Sequence, residues 1–385
     1  MLNFRHLAPV AIEFGAGKLS MLGELTAPHG SRVMLVTMPW EPALKPMFDR
    51  ARASLEAARL SVVLYDHAQP NPTVDSVDRG ARIAQDEGVE CVVGMGGGSS
   101  IDTAKGIAVA ATHPGSVWDY MYFQPQQPTP LTLPIVAVTT TSGTGSHATR
   151  YAVITNSDLS CKSAIAHDQV FARAAIVDPE LMLGLPKTIT ASTGFDAFTH
   201  AFESYTNPGA TPMTDMMTLE ALRLIAENLE TVLADGSNLE ARANLAWADT
   251  LAGMSIANAG TTLPHAMGQP ISGHFPHVWH GQSLAVVYPP FLRYTCEAAA
   301  DKFTNVGQLF EASVTDCREA VAAILAWMKR IEMYLSLCDL NVPESGLGPV
   351  LRDCMAFPDV ACNPRVPTEA EVMELYREAL TTGSL

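Results

Sequence analysis

The sequence predicts two domains, an α/β domain built on a parallel sheet and then an all-α domain. Three observations predict this. Through the first half, short apolar runs alternate with amphipathic stretches of about 12 residues or more, the pattern of βαβ units. From Thr188 onward β-branched clusters thin out, and Ala, Leu, Met, Glu and Arg recur with a period near 3.6. Between the two lies Leu185-Pro186-Lys187, so the domains are expected at 1–187 and 188–385. The chain's 385 residues suffice for two ordinary domains, and 48% apolar against 17% charged residues lets both bury a core.

The elements follow in order. Residues 33–37 have a buried-strand pattern, 43–59 carry helical spacing, 61–65 are β-rich, and 73–87 read as helix. Residues 90–95 form a strand that runs into glycines, 99–112 a second helix, and 134–138 a further apolar strand. Residues 151–155 and 163–166, joined through Asn156-Ser157-Asp158, read as a hairpin. In the second half, helices are expected at 214–233, 239–258, 318–338 and 368–380. The Pro/Gln-rich segment 123–130 reads as a short surface connector.

Composition excludes several function classes. Forty acidic residues against 24 basic give a net charge of −16, which disfavours nucleic acid and anionic membrane surfaces as partners. No apolar run approaches the roughly 18–20 residues of a membrane span. Residues 1–6 lack the long apolar stretch of a secretion signal. The seven cysteines are odd in number and contain no Cys-x-x-Cys pair. A soluble, cytoplasmic, acidic protein is expected.

Two loops point to a dinucleotide. Gly94-Met95-Gly96-Gly97-Gly98-Ser99 leaves a predicted strand and opens a helix, where glycines admit close approach of a pyrophosphate and free N–H groups face its oxygens. Thr139-Thr140-Thr141-Ser142-Gly143-Thr144-Gly145-Ser146 leaves another strand end, as in a doubly wound sheet. The competing reading is a pair of tight polar turns.

A metal is indicated in the helical half. Asp196 and His200 are four apart and share a helix face. His265, His274, His277 and His280 place four of the eleven histidines within 16 residues. One carboxylate plus three imidazoles suits a divalent ion such as Fe²⁺ or Zn²⁺ with one position left open.

On these residues the chain resembles the iron-containing (group III) alcohol dehydrogenase family. The likeness runs through Glu13-Phe14-Gly15-Ala16-Gly17, Pro70-Asn71-Pro72-Thr73, Gly96 to Lys105, Thr139 to Ser146 and Ile176 to Glu180. It continues through Thr193 to Glu203, His265-Ala266-Met267, His280-Gly281 and Asn363-Pro364-Arg365. The resemblance implies a Rossmann-like domain followed by a helical domain, as in dehydroquinate synthase. It also implies metal ligation by Asp196, His200, His265 and His280, with Fe²⁺ or Zn²⁺ as the ion. It further implies NAD or NADP contacted by Asn71, Gly97, Gly98, Ser99, Asp102, Thr139, Thr140, Thr144 and Lys162. The implied partner is a small primary alcohol or aldehyde, and the implied assembly is a homodimer or larger homo-oligomer.

Three departures stand out. Gln269 occupies the place where many members carry a second histidine credited with proton transfer, so His274 or His277 is a candidate substitute. Met38 stands where many members end the first strand with an aspartate that disfavours a 2′-phosphate, which leaves NAD and NADP both open. His147 stands where the loop usually continues with glutamate. The competing functions are a metal- and nicotinamide-dependent lyase of the dehydroquinate-synthase type, which needs more lysine and arginine than the helical half holds, and a non-catalytic metal- or dinucleotide-binding protein.

Overall fold

A computed structural model describes residues 3–381; Met1 and Leu2 of the expected first domain and 382–385 of the second lie outside them. The chain divides into two compact units, Ala8–Gly184 and a second that takes Leu185 onward together with the residues up to Leu7. Leu7 joins the second unit because the Asn258 side chain accepts its N–H and donates to its carbonyl.

The first unit holds strands β1 (Ala11–Phe14), β2 (Arg32–Val36), β3 (Ser61–Tyr65), β4 (Cys91–Gly96), β5 (Ile135–Thr139), β6 (Tyr151–Asn156), β7 (Cys161–Ala166) and β8 (Ala174–Val177). Its helices are α1 (Leu22–Thr26), α2 (Lys45–Ala57), α3 (Val74–Asp86) and α4 (Gly98–Ala110). Six strands form one sheet in the order β1-β8-β5-β4-β2-β3, parallel throughout, while β6 and β7 pair antiparallel as a separate hairpin. β4 and β5 are buried along their whole length, as central parallel strands covered on both faces must be. Thr73 caps α3 by accepting the Ser76 N–H. β1 and β8 add to the strands the sequence predicts, since four-residue runs such as AIEF and AAIV show no period.

The second unit is helical, with α5 (Lys187–Thr206), α6 (Pro212–Ala234), α7 (Leu239–Ala259), α8 (Leu263–His274), α9 (His280–Thr295), α10 (Ala300–Phe310), α11 (Cys317–Arg330), α12 (Leu347–Ala356) and α13 (Glu369–Ala379). The helix expected over 318–338 is shorter than the sequence suggests: α11 stops at Arg330, and Glu332 turns with φ +61°. The following segment instead gives its Leu337 N–H to the Ala379 carbonyl, tying the end of α13 down. Among the described residues, no helix is long and apolar enough to cross a membrane.

Candidate active site

Helix α5 sets one side of the candidate centre. Phe195, Phe198 and Phe202 recur on one face and pack on Tyr288 (ring centroids 5.2 Å), Trp327 (4.7 Å) and Phe303 (4.9 Å). That aromatic stripe fixes the rotation of the helix. Asp196, His200 and Glu203 then share a face about 130° away, at 100° per residue.

The other side comes from α8 and α9. His265 lies in the first turn of α8, after Pro264, and His280 is the first residue of α9. Gly281 lets α9 approach so closely that a Cβ there would collide with the Ser192 carbonyl oxygen of α5. Nε2 of His200, His265 and His280 lies 3.7, 3.9 and 3.7 Å from Asp196 Oδ1. The ligand atoms of Asp196, His265 and His280 all fall within 4.8 Å of one another. Asp196, His200 and His265 are buried, and His280 is half-buried.

These separations exceed hydrogen-bond length. They lie near the edge of a tetrahedron around one ion, which for ligand distances of ~2.1 Å is ~3.4 Å. The carboxylate oxygen of Asp196 with the imidazoles of His265 and His280, and His200 beside Asp196 at 3.7 Å, make a donor set that fits a divalent cation of the Fe²⁺ or Zn²⁺ type.

Glu203, fully buried, stands behind His265. Its Oε1 lies 2.8 Å from His265 Nδ1, and its Oε2 accepts the Thr262 N–H at 2.8 Å. Burial pushes its carboxyl well above the ordinary range, against the backbone donor of Thr262.

The three residues considered for proton transfer are dispersed. His274 pairs through Nε2 with Asp353 at 2.8 Å, and exposed His277 bonds the Leu340 carbonyl at 2.8 Å. Neither belongs to the ligand cluster. Gln269 lies one helical turn beyond His265, and its buried Oε1 has no hydrogen-bond partner among the described residues. Met267, which lies between them on α8, is wholly buried core.

The dinucleotide candidates gather in the α/β unit. Gly97 follows β4 and precedes α4, whose N-terminus no side chain caps. The Thr140 N–H bonds the Gly96 carbonyl at 3.0 Å, drawing the second loop beside the first. A Cβ on Gly98 would collide with Thr144, so the two loops touch. Thr139 Oγ1 donates to the Thr141 carbonyl at 2.9 Å, and Ser99 stays partly accessible in the first turn of α4. The hairpin docks through the Thr155 N–H on the Pro72 carbonyl, and Lys162, opposite Thr155, donates to Asn71 Oδ1 at 2.9 Å. Asp102 is turned inward, where it accepts from Ser146 Oγ at 2.6 Å and from the Val153 N–H at 3.1 Å. Met38 is partly buried against the apolar cluster beneath β2.

Two residues lie inside blocks that carry the family resemblance, yet the sequence assigns them no role of their own. Glu203 closes the block that begins at Thr193, a carboxylate seven positions after Asp196. Lys105, fully buried, donates to the carbonyls of Ser146, Thr149 and Tyr151 at 2.7, 2.9 and 2.7 Å and so pins the end of the second loop. Burial lowers its ammonium to about 8, with Asp102 opposing the shift. His147 is also fully buried, which together with Lys105 pushes its imidazole down to about 3.

Comparison with known proteins agrees along the chain. Residues 9–179 match the family described as iron-containing alcohol dehydrogenase, and 190–380 match the C-terminal part of the Fe-containing alcohol dehydrogenase family. A 1,3-propanediol dehydrogenase of Klebsiella pneumoniae is 36% identical over 98% of both chains. An NAD-dependent methanol dehydrogenase of Bacillus methanolicus is 31% identical over 99% of this chain and 100% of its own. The crystal structure of an archaeal halo-thermophilic alcohol dehydrogenase from a Red Sea brine pool superposes with a TM-score of 0.95, at 35% identity, over 99% of this chain and 100% of the other.

Proposed function

This chain belongs to the iron-containing alcohol dehydrogenase family, and from that premise we propose that it moves a hydride between a small primary alcohol or its aldehyde and NAD or NADP. The observation that carries this reading is the convergence of three imidazole nitrogens on Asp196 Oδ1.

Asp196, His200, His265 and His280 would hold the divalent ion. When bound, that ion supplies Lewis-acid polarisation of the substrate oxygen, and the nicotinamide takes or returns the hydride. The protein's own task is orientation and exclusion of water. Asp196 contributes its charge as a ligand and stays ionised. The near-complete burial of Asp196, His200 and His265 removes competing water and strengthens every charge interaction there. Gln269 offers a buried carbonyl oxygen as acceptor to a substrate hydroxyl. His277, the most exposed histidine of this stretch, is the outer station for a departing proton.

In the α/β unit, the uncapped N-terminus of α4 at Gly97, Gly98 and Ser99 offers N–H groups to the pyrophosphate. Lys162 and Asn71 together supply a cation and an amide for ribose or phosphate oxygens, with Thr139, Thr140 and Thr144 lining the adjoining loop. Asp102 acts from beneath by holding Ser146 in place. A cytoplasmic homo-oligomer is part of the same reading.

Metal analysis followed by absorbance at 340 nm tests it, with short alcohols, propane-1,3-diol and the corresponding aldehydes presented with NAD and with NADP. Metal-dependent turnover that disappears in Asp196→Ala is expected. Turnover that survives both metal removal and that substitution would overturn the proposal.

A further inference from the structure

We propose that Glu203 is the positioning residue of the metal centre: it holds His265 with Nδ1 protonated and Nε2 bare toward Asp196, and sets the register of α8 against α5. This rests on the metal-site reading above and extends it to a residue that touches neither metal nor substrate.

The geometry assigns the role. Oε1 of Glu203 is 2.8 Å from His265 Nδ1 while Nε2 of the same ring faces Asp196 Oδ1 at 3.9 Å. With Oε2 accepting the Thr262 N–H, Glu203 acts as acceptor through Oε1 as well and takes the Nδ1–H of His265, which leaves the Nε2 lone pair on the side of Asp196. The second oxygen, Oε2, is occupied by the Thr262 N–H at 2.8 Å, with Thr262 Oγ1 at 3.4 Å. Thr262 is the N-cap residue of α8, and His265 follows in its first turn. One carboxylate on α5 therefore fixes both the start of α8 and the orientation of the ligand it carries.

Glu203→Gln separates positioning from simple space-filling. A glutamine has one accepting and one donating end. With metal on Nε2, His265 must keep its proton on Nδ1, so the amide oxygen turns to it and the NH₂ is forced against the Thr262 N–H. Without metal, His265 can carry its proton on Nε2, and the amide turns round without conflict. The substitution therefore penalises the metal-bound state alone.

Two measurements test this. Zn²⁺ affinity, read by competition with a chromophoric chelator, is expected to fall about 10- to 100-fold in Glu203→Gln, while the metal-free variant melts as the metal-free wild type does. Unchanged affinity, or an equal loss of stability in the metal-free protein, would overturn the proposal. In Zn²⁺-loaded wild type labelled with ¹⁵N-histidine, the Nδ1–H of His265 is expected as a slowly exchanging, far-downfield proton that moves upfield in the variant. Its absence from wild type would also overturn it, even if the variant fails to fold. A wild type that takes up no Zn²⁺ removes the metal-site reading itself, whereas equally tight Zn²⁺ binding by wild type and Glu203→Gln removes only this inference.

Discussion

Gly281→Ala tests how the centre is built without touching a ligand. A Cβ at this position would lie well inside contact distance of the Ser192 carbonyl oxygen and 2.9 Å from its carbonyl carbon. Both are backbone atoms of α5 and cannot swing aside. Restoring ordinary contact, at ~3.5 Å, requires the start of α9 to retreat by about 1 Å. His280 is the preceding residue, and its Nε2 already sits 3.7 Å from Asp196 Oδ1, slightly beyond the ~3.4 Å tetrahedral edge. Metal–ligand distances tolerate only about ±0.2 Å, so under the proposed ligand set a retreat of that size removes His280 from the ion. The overpacking itself costs about 1–3 kcal/mol. In a unit of this size that lowers Tm by roughly 2–12 °C. Differential scanning fluorimetry with and without Zn²⁺, together with chelator competition, should show both a lower Tm and at least tenfold weaker metal binding. Gly348→Ala in α12 is the control, since nothing lies within 4 Å of its added Cβ and alanine favours a helix. If Gly281→Ala binds Zn²⁺ and melts as wild type does, the close α5–α9 approach does not place His280.

Three further outcomes are expected. His147 is buried with its imidazole pushed down to about 3, so below about pH 6.5 the unfolded chain takes a proton that the native one refuses. Stability then falls as pH drops from about 6.5 to 3, and urea unfolding of wild type and His147→Gln should converge by about 2 kcal/mol between pH 8 and 5; parallel profiles would contradict this. Gly98→Ala drives a methyl into Thr144 and, at about 1–3 kcal/mol of overpacking, should weaken NADH binding tenfold or more by fluorescence titration; unchanged binding would detach the two loops from the cofactor. His277→Gln should lower turnover and shift its pH profile if the exposed imidazole passes on the proton, and unchanged kinetics remove it from that route.

Much of the fold is legible in the sequence because its chemistry is local in cause. Thr73 capping α3, the glycines closing β4 and the short turn of the β6–β7 hairpin depend on neighbours a few positions away. Asp196 and His200 are legible for the same reason, as a pair four apart on one helix. Periodicity fails where a distant partner intervenes, as at Leu337, whose N–H the Ala379 carbonyl claims. β1 and β8 are too short to show a period, and it is pairing that makes them strands.

The make-up of the site can be read along the chain, as one carboxylate on a helix and a histidine-rich stretch far downstream. Spacing alone does not choose among the histidines; the family resemblance implies His265 and His280, and the folded chain shows what brings these two to Asp196. His274 and His277 are as available in sequence as His265 and His280, but Asp353 and the Leu340 carbonyl hold them elsewhere. The selection rests on contacts between residues distant in the chain, Glu203 with Thr262 and Gly281 against Ser192. Such contacts arise from close packing, which no pattern along the chain encodes.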